Sequence, residues 1–165
     1  RGRADWDAVA AVRAGIAVPL VANGDCASPE DARAMRTRSG ADAVMIGRAA
    51  YGRPWLVGQI GAALDGLPAV ETPQGAALGE LLCEHVGMML DHYGKGRGLL
   101  LARKHIAWTL EAAEAAEADG AEAMPEAARR ALLTETNADV VLRGLRHWFA
   151  AAGREAARAQ VGKAA

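Results

Sequence analysis

Val18-Pro19-Leu20-Val21-Ala22-Asn23-Gly24-Asp25 and Gly40-Ala41-Asp42-Ala43-Val44-Met45-Ile46-Gly47-Arg48 decide how this chain folds. Each holds a short, almost wholly apolar run that stops at a polar, glycine-containing end, the pattern of a buried parallel strand rather than a half-exposed one. Helix signals lie before and between them. Asp5 stands as N-cap of a helix through Trp6, Val9 and Val12 that Gly15 closes. Ser28-Pro29-Glu30-Asp31 supplies an N-cap, a proline at the first helical position and acids in the first turn of a helix that runs to about Ser39 and ends at Gly40. This alternation predicts α/β architecture with parallel strands, either a doubly wound sheet or a (β/α)₈ barrel. Two strands complete neither. Residues to about Leu64 therefore read as the last two βα units of a larger TIM barrel whose earlier strands lie upstream, and an opening at Arg1 without methionine fits an entry in mid-domain. Such a remnant is expected to be labile, exposing a sheet edge and apolar faces.

After Leu64 the pattern changes. Asp65-Gly66-Leu67-Pro68 to Thr72-Pro73-Gln74-Gly75 has linker composition, and only helix signals follow. Leu78, Leu81, Leu82, His85, Val86, Met89, His92 and Tyr93 recur at three- and four-residue spacing, predicting an amphipathic helix that ends near Gly94. Further helices are expected at about 98–110, 125–133 and 139–152, together a small bundle. The Ala/Glu-rich stretch 111–122 reads as a solvated helix extension or loop, and the tail from Gly153 as frayed. The predicted organisation is thus residues 1–66 as barrel, 67–75 as linker, 76–152 as helical domain and 153–165 as an Ala-rich tail.

Composition narrows the function. The 165 residues are 52% apolar with only four tryptophans, two tyrosines and one phenylalanine, so packing falls mainly to Ala, Leu, Val and Met on helices. A net charge of −1 gives no global attraction to nucleic acid or to an acidic membrane, and any polyanion contact must come from a local patch. Cys26 and Cys83 stand apart without a partner motif, which points to a reducing cytoplasm rather than to a disulfide scaffold or zinc site. No apolar run approaches the roughly 20 residues of a membrane span. His85 and His92 share a helix face without a third ligand, so core packing is expected of them and no metal is expected. A monomer is expected.

The two strand ends form a polar cluster where parallel α/β folds keep their chemistry. Gly24 and Gly47 allow close backbone approach, Arg48 can grip a phosphate in a bidentate fork, and a helix start after Gly47 can offer N–H groups. Asn23, Gly24, Asp25, Gly47 and Arg48 are therefore the candidate phosphate site. The competing reading makes Asn23-Gly24-Asp25 a plain turn and Arg48 an ion-pair partner of Asp25 or Glu30. On the helical half, Lys95, Arg97, Arg103, Lys104 and His105 concentrate positive charge, either as a grip for RNA phosphates or as a solvated face paired with Glu111 and Glu114. Arg143, Arg146 and His147 form a second basic strip with the same two readings.

These segments, followed by Gly52-Arg53-Pro54-Trp55, resemble the C-terminal half of the tRNA-dihydrouridine synthase family in its bacterial branch. Ala102-Arg103-Lys104-His105-Ile106-Ala107-Trp108 resembles that family's RNA-binding helical domain. The resemblance implies that the strand ends are those of the seventh and eighth barrel strands, with Asn23, Gly24, Asp25, Gly47 and Arg48 holding the phosphate of FMN. It also implies that Arg97, Arg103, Lys104 and His105 contact tRNA. The implied activity is NADPH-linked reduction of uridine to 5,6-dihydrouridine, with FMN passing a hydride to the base and a cysteine protonating the neighbouring carbon. That cysteine lies upstream in the family, so neither Cys26 nor Cys83 matches it, no catalytic residue is assigned here, and the chain alone is expected to be inactive. Thr109 stands where the family often has an aromatic residue, and the Ala/Glu-rich insert is unusual. Two alternatives stay open: another phosphate-binding flavin barrel oxidoreductase, and a non-catalytic RNA-binding module.

Overall fold

The computed structural model describes residues 2–116 and 123–163, with side chains through residue 153. Its contacts divide it into two compact units, Arg1–Thr72 and Pro73–Ala165.

The first unit contains helix α1 (Trp6–Ala14), strand β1 (Val21–Asn23), helix α2 (Pro29–Ser39), strand β2 (Ala43–Met45), a 3₁₀ turn (Arg48–Ala50) and helix α3 (Trp55–Leu64). The caps lie where the sequence places them. The Asp5 carboxylate accepts from the N–H groups of Asp7 and Ala8, and Ser28 Oγ accepts from Asp31 N at 3.0 Å while Asp31 reaches back to Ala27 N. Gly40, at φ +65°, closes α2 by donating to Arg36 O. The strands pair in parallel with Val21 opposite Ala43, Ala22 opposite Val44 and Asn23 opposite Met45. Asp42 sets this register, because its N–H donates to Leu20 O at 2.9 Å and its carboxylate accepts from Leu20 N at 2.8 Å. Arg13 braces the same place, bonding Val18 O and pairing with Asp42 at 3.2 Å.

Only one face of this sheet is covered. Ala22 is buried with Ala32 and Met35 of α2, whereas Val21 and Met45 are 55% and 53% exposed. Side chains alternate across a strand, so helices packed on one face leave every second residue of the runs in solvent, and the fully buried strands read from the sequence are half-covered here. Val12 of α1 is likewise exposed. Helix α3 is an element that the sequence reading did not assign, because Gly58 and Gly61 weaken its propensity. It forms because Leu56, Ile60 and Ala62 bury one side of it.

The second unit consists of α4 (Gly75–Tyr93), α5 (Lys95–Ala116), α6 (Glu126–Thr134) and α7 (Ala138–Lys163). Helix α4 packs against both α5 and α7. Its buried Leu78, Leu82 and Val86 follow the predicted helical spacing and Cys83 is buried with them, with Leu99, Ala102, Ile106 and Leu110 buried on α5 and Val141, Leu145 and Phe149 on α7. Residues 111–116 of the Ala/Glu-rich stretch continue α5, while 117–122 lie outside the described residues. Helix α7 continues past Ala152 to Lys163. Among the described residues no helix is long and apolar enough to cross a membrane.

Small residues set how closely these helices approach. A Cβ on Gly98 of α5 would lie 2.6 Å from the carbonyl oxygen of Met89 and 2.9 Å from Leu90 Cα, both backbone atoms of α4. A Cβ on Gly87 would meet nothing within 4 Å. Gly98→Ala should therefore destabilise the helical unit by about 1–3 kcal/mol despite alanine's better helix propensity. Gly87→Ala should stabilise it by up to about 1 kcal/mol. Urea denaturation followed by circular dichroism checks both signs.

Candidate functional site

The register that places Asn23 beside Met45 brings Asn23-Gly24-Asp25 and Gly47-Arg48 to the same end of the strand pair. Asn23, Asp25, Gly47 and Arg48 are exposed and Gly24 is half-buried. Gly24 adopts φ +121°, which side-chain-bearing residues rarely enter, and a Cβ there would lie 2.6 Å from the Cβ of Ala4. A Cβ on Gly47 would meet nothing within 4 Å, so the backbone there is open to approach.

Arg48 is not held by the partners that the competing reading offers it. Asp25 Oδ2 accepts from Ala4 N at 2.7 Å, and Glu30 pairs with Arg33 at 3.3 Å. Among the described residues no hydrogen bond or ion pair engages the Arg48 guanidinium, whose residue is held only through its backbone, with Arg48 O accepting from Tyr51 N at 3.0 Å. The Asp25 carboxylate is itself committed to the chain. The helix start expected after Gly47 is a single 3₁₀ turn of three residues, too short to carry a macrodipole. Gly52-Arg53-Pro54-Trp55 ties the turn after β2 to α3: Arg53 Nη2 donates to Ala49 O at 3.1 Å, and Trp55 opens the helix. Cys26 is buried beneath the cluster, and burial, followed by the charge of Asp31, raises its thiol pKa.

The basic residues of α5 separate into two groups. Arg97 and Lys104 are exposed. Arg103 turns inward, donating from Nη2 to Thr134 O at 3.4 Å and Glu135 O at 3.3 Å, with its Nε buried and unpartnered. It thereby holds the turn between α6 and α7, where Glu135 accepts from Thr136 N and Asn137 N and Asn137 caps α7 through Asp139 N. The amides of Asn137 and then Thr136 hold the Glu135 carboxyl below the usual range. Glu111 and Glu114, the expected partners of the basic face, both bind Arg129 of α6 instead, at 3.0 and 3.2 Å.

His105 is half-buried with its ring edge-on to His85 at 4.8 Å between centroids and to Trp108 at 5.2 Å. Burial first, and then the charge of His85, lower its pKa. His92 is exposed beside Tyr93 rather than in the core, because the α4 face it shares turns outward near the helix end. On α7, Arg146 pairs with Glu80 at 3.1 Å, while Arg143 and His147 are exposed. Sequence reasoning overlooked Trp6, whose indole Nε1 donates to Gly24 O at 2.9 Å. Its only signal was an aromatic residue following an N-cap, which reads as ordinary core.

The family model described as Dihydrouridine synthase (Dus) matches residues 1–140. The chain belongs to the dihydrouridine synthase family. It is 47% identical over 114 residues to a probable tRNA-dihydrouridine synthase of Rhodobacter capsulatus, covering 69% of this chain and 35% of that protein. It is 48% identical over 110 residues to a probable tRNA-dihydrouridine synthase of Rhizobium leguminosarum, covering 67% and 32%. Against tRNA-dihydrouridine synthase B of Salmonella typhimurium the identity is 43% over 110 residues, covering 67% and 34%. The chain thus spans about a third of the length of these curated dihydrouridine synthase relatives.

Two outcomes follow from the helical residues. Arg103→Ala frees the carbonyls at the end of α6 and should cost about 1 kcal/mol of stability, whereas Lys104→Ala should change stability little; denaturant melts of the two variants check this. For His105, an unfolded imidazole takes its proton near 6.5 while the folded one resists. The stability it contributes is therefore complete above that pH and is lost as the pH falls from there through the lowered folded value. Thermal melts between pH 8 and 5 should show a smaller acid loss in His105→Gln than in the native chain.

Proposed function

We propose that this chain is the C-terminal portion of a flavin-dependent tRNA-dihydrouridine synthase. In this reading residues 1–66 close a TIM barrel that holds FMN, 67–75 link, and 76–152 form a tRNA-gripping helical bundle followed by the Ala-rich tail 153–165. The observation that carries the reading is the open strand-end cluster, where an unengaged Arg48 guanidinium stands with an uncrowded Gly47 and the Asn23-Gly24-Asp25 turn. When bound, FMN supplies the hydride chemistry, drawing on NADPH and reducing the uracil ring.

The chain's own residues do the binding. Arg48 offers a phosphate two parallel N–H donors, Asn23 offers its carboxamide, and Gly47 lets the main chain come close. Asp25 contributes its amide, since a carboxylate aimed at a phosphate would repel it. Cys26 and Cys83 are both buried with raised thiol pKa values, Cys83 mainly through burial, which supports packing roles and a proton donor located elsewhere in the protein. A uracil inside folded tRNA must leave its stack to reach a flavin, which is why a separate RNA grip makes physical sense. Arg97 and Lys104 meet the RNA phosphates, and Arg103 and His105 maintain the face that presents them. The protein works as a monomer in the cytoplasm.

Binding of tRNA by the 165-residue chain across a salt series tests this. Affinity should fall as salt rises, and Arg97→Glu combined with Lys104→Glu should weaken binding about tenfold or more at low salt with helicity unchanged. A well-folded chain that binds no tRNA overturns the assignment of an RNA grip to the helical unit.

A further inference from the structure

The Asn23-Gly24-Asp25 turn is not shaped by its own residues alone. The segment Ala4–Trp6 lies across it and makes two bonds to it: Ala4 N donates to Asp25 Oδ2 at 2.7 Å, and Trp6 Nε1 donates to Gly24 O at 2.9 Å. The contact is close enough that a Cβ on Gly24 would collide with Ala4. Trp6 has little freedom to do anything else. It is 6% exposed, packs in the core with Ala22, Cys26, Ala32 and Met35, and carries the Arg38 guanidinium over its ring at 5.2 Å, with Arg38 in turn paired to Asp7.

This geometry has a directional consequence. In a trans peptide the carbonyl of one residue and the N–H of the next point in opposite directions, and the described residues contain no cis bond. Holding the Gly24 carbonyl against the indole therefore turns the Asp25 N–H away from Trp6. Among the described residues that N–H has no acceptor. The Ala4 bond meanwhile draws the Asp25 carboxylate aside, which removes a negative charge from the path of an anion. We propose that Trp6 is a positioning residue for the phosphate turn: its indole N–H, by pinning the Gly24 carbonyl, aims the Asp25 amide at an incoming phosphate.

The proposal rests on the phosphate site described under the proposed function, and the test separates the two. Inorganic phosphate is titrated into the full chain while backbone amides and the Trp6 indole proton are followed by NMR. The Asp25, Gly47 and Arg48 amides should shift, and Trp6→Phe, which keeps the ring and removes the donor, should raise the phosphate midpoint about fivefold with the remaining spectrum preserved. Coupling is reciprocal, so phosphate should slow exchange of the Trp6 indole proton in the native chain by a similar factor beyond the slowing of the other core protons of the first unit, an excess that a purely structural tryptophan would not give. This second readout needs no variant and decides the matter if Trp6→Phe fails to fold. An unchanged midpoint in a folded Trp6→Phe, or indole exchange slowed no more than that of the other core protons, overturns the role of Trp6 and leaves the phosphate site standing. Absence of any shift at Asp25, Gly47 and Arg48 in the native chain overturns the phosphate site and the role of Trp6 together.

Discussion

Asp42 grips Leu20 on both sides of its backbone, accepting from Leu20 N through its carboxylate and donating its own N–H to Leu20 O. Everything at the far end of the first unit depends on that grip. Parallel strands have no tight turn to set their alignment, and a one-residue slip would reverse the face of every side chain in the slipped strand. With Leu20 held, Asn23 falls opposite Met45 and the two glycine-containing ends arrive together. The Arg13 bridge from α1 to Asp42 and Val18 reinforces the same alignment. Because Asp42 and Arg13 are both partly exposed, the alignment owes more to hydrogen-bond geometry than to charge, whose effect at a solvent-facing pair is small.

The single covered face of that sheet gives the unit an unusual balance. Met35, Ala32 and Ile60 are fully buried, so a core exists, yet Val21 and Met45 face solvent on the opposite side. Parallel sheets are ordinarily covered on both faces. The exposed apolar residues leave that face of the sheet without a covering layer among the described residues of this unit.

In the helical unit, apparent charge and usable charge differ. A run such as Arg103-Lys104-His105 looks uniformly basic when written in a line, but consecutive residues on a helix point about 100° apart, so only part of it faces solvent. Arg103 spends its donors on the end of α6, His105 rests edge-on against His85 and Trp108, and Lys104 alone of the three is exposed. Arg129, which carried no signal of function, takes up both Glu111 and Glu114 and so leaves Arg97 and Lys104 without those counter-charges.

Local chemistry made much of this legible in the linear chain. Asp5, Ser28 and Gly40 act as caps because capping depends on neighbours within a few residues, and the two strands were readable because a short β-rich run between a helix stop and a helix start has few alternatives. That Asn23, Gly24 and Asp25 share one end of the strand pair with Gly47 and Arg48 was readable for the same reason. What depended on distant contacts was not. Helix α3 forms against its own glycines because burial outweighs propensity, and Ala4 and Trp6 meet Asp25 and Gly24 across eighteen or more residues at a turn whose shape neither segment encodes alone. Whether a cation faces solvent or caps a neighbouring helix is decided the same way, by which partners packing brings within hydrogen-bond reach, and that is a property of the folded chain rather than of any stretch of it.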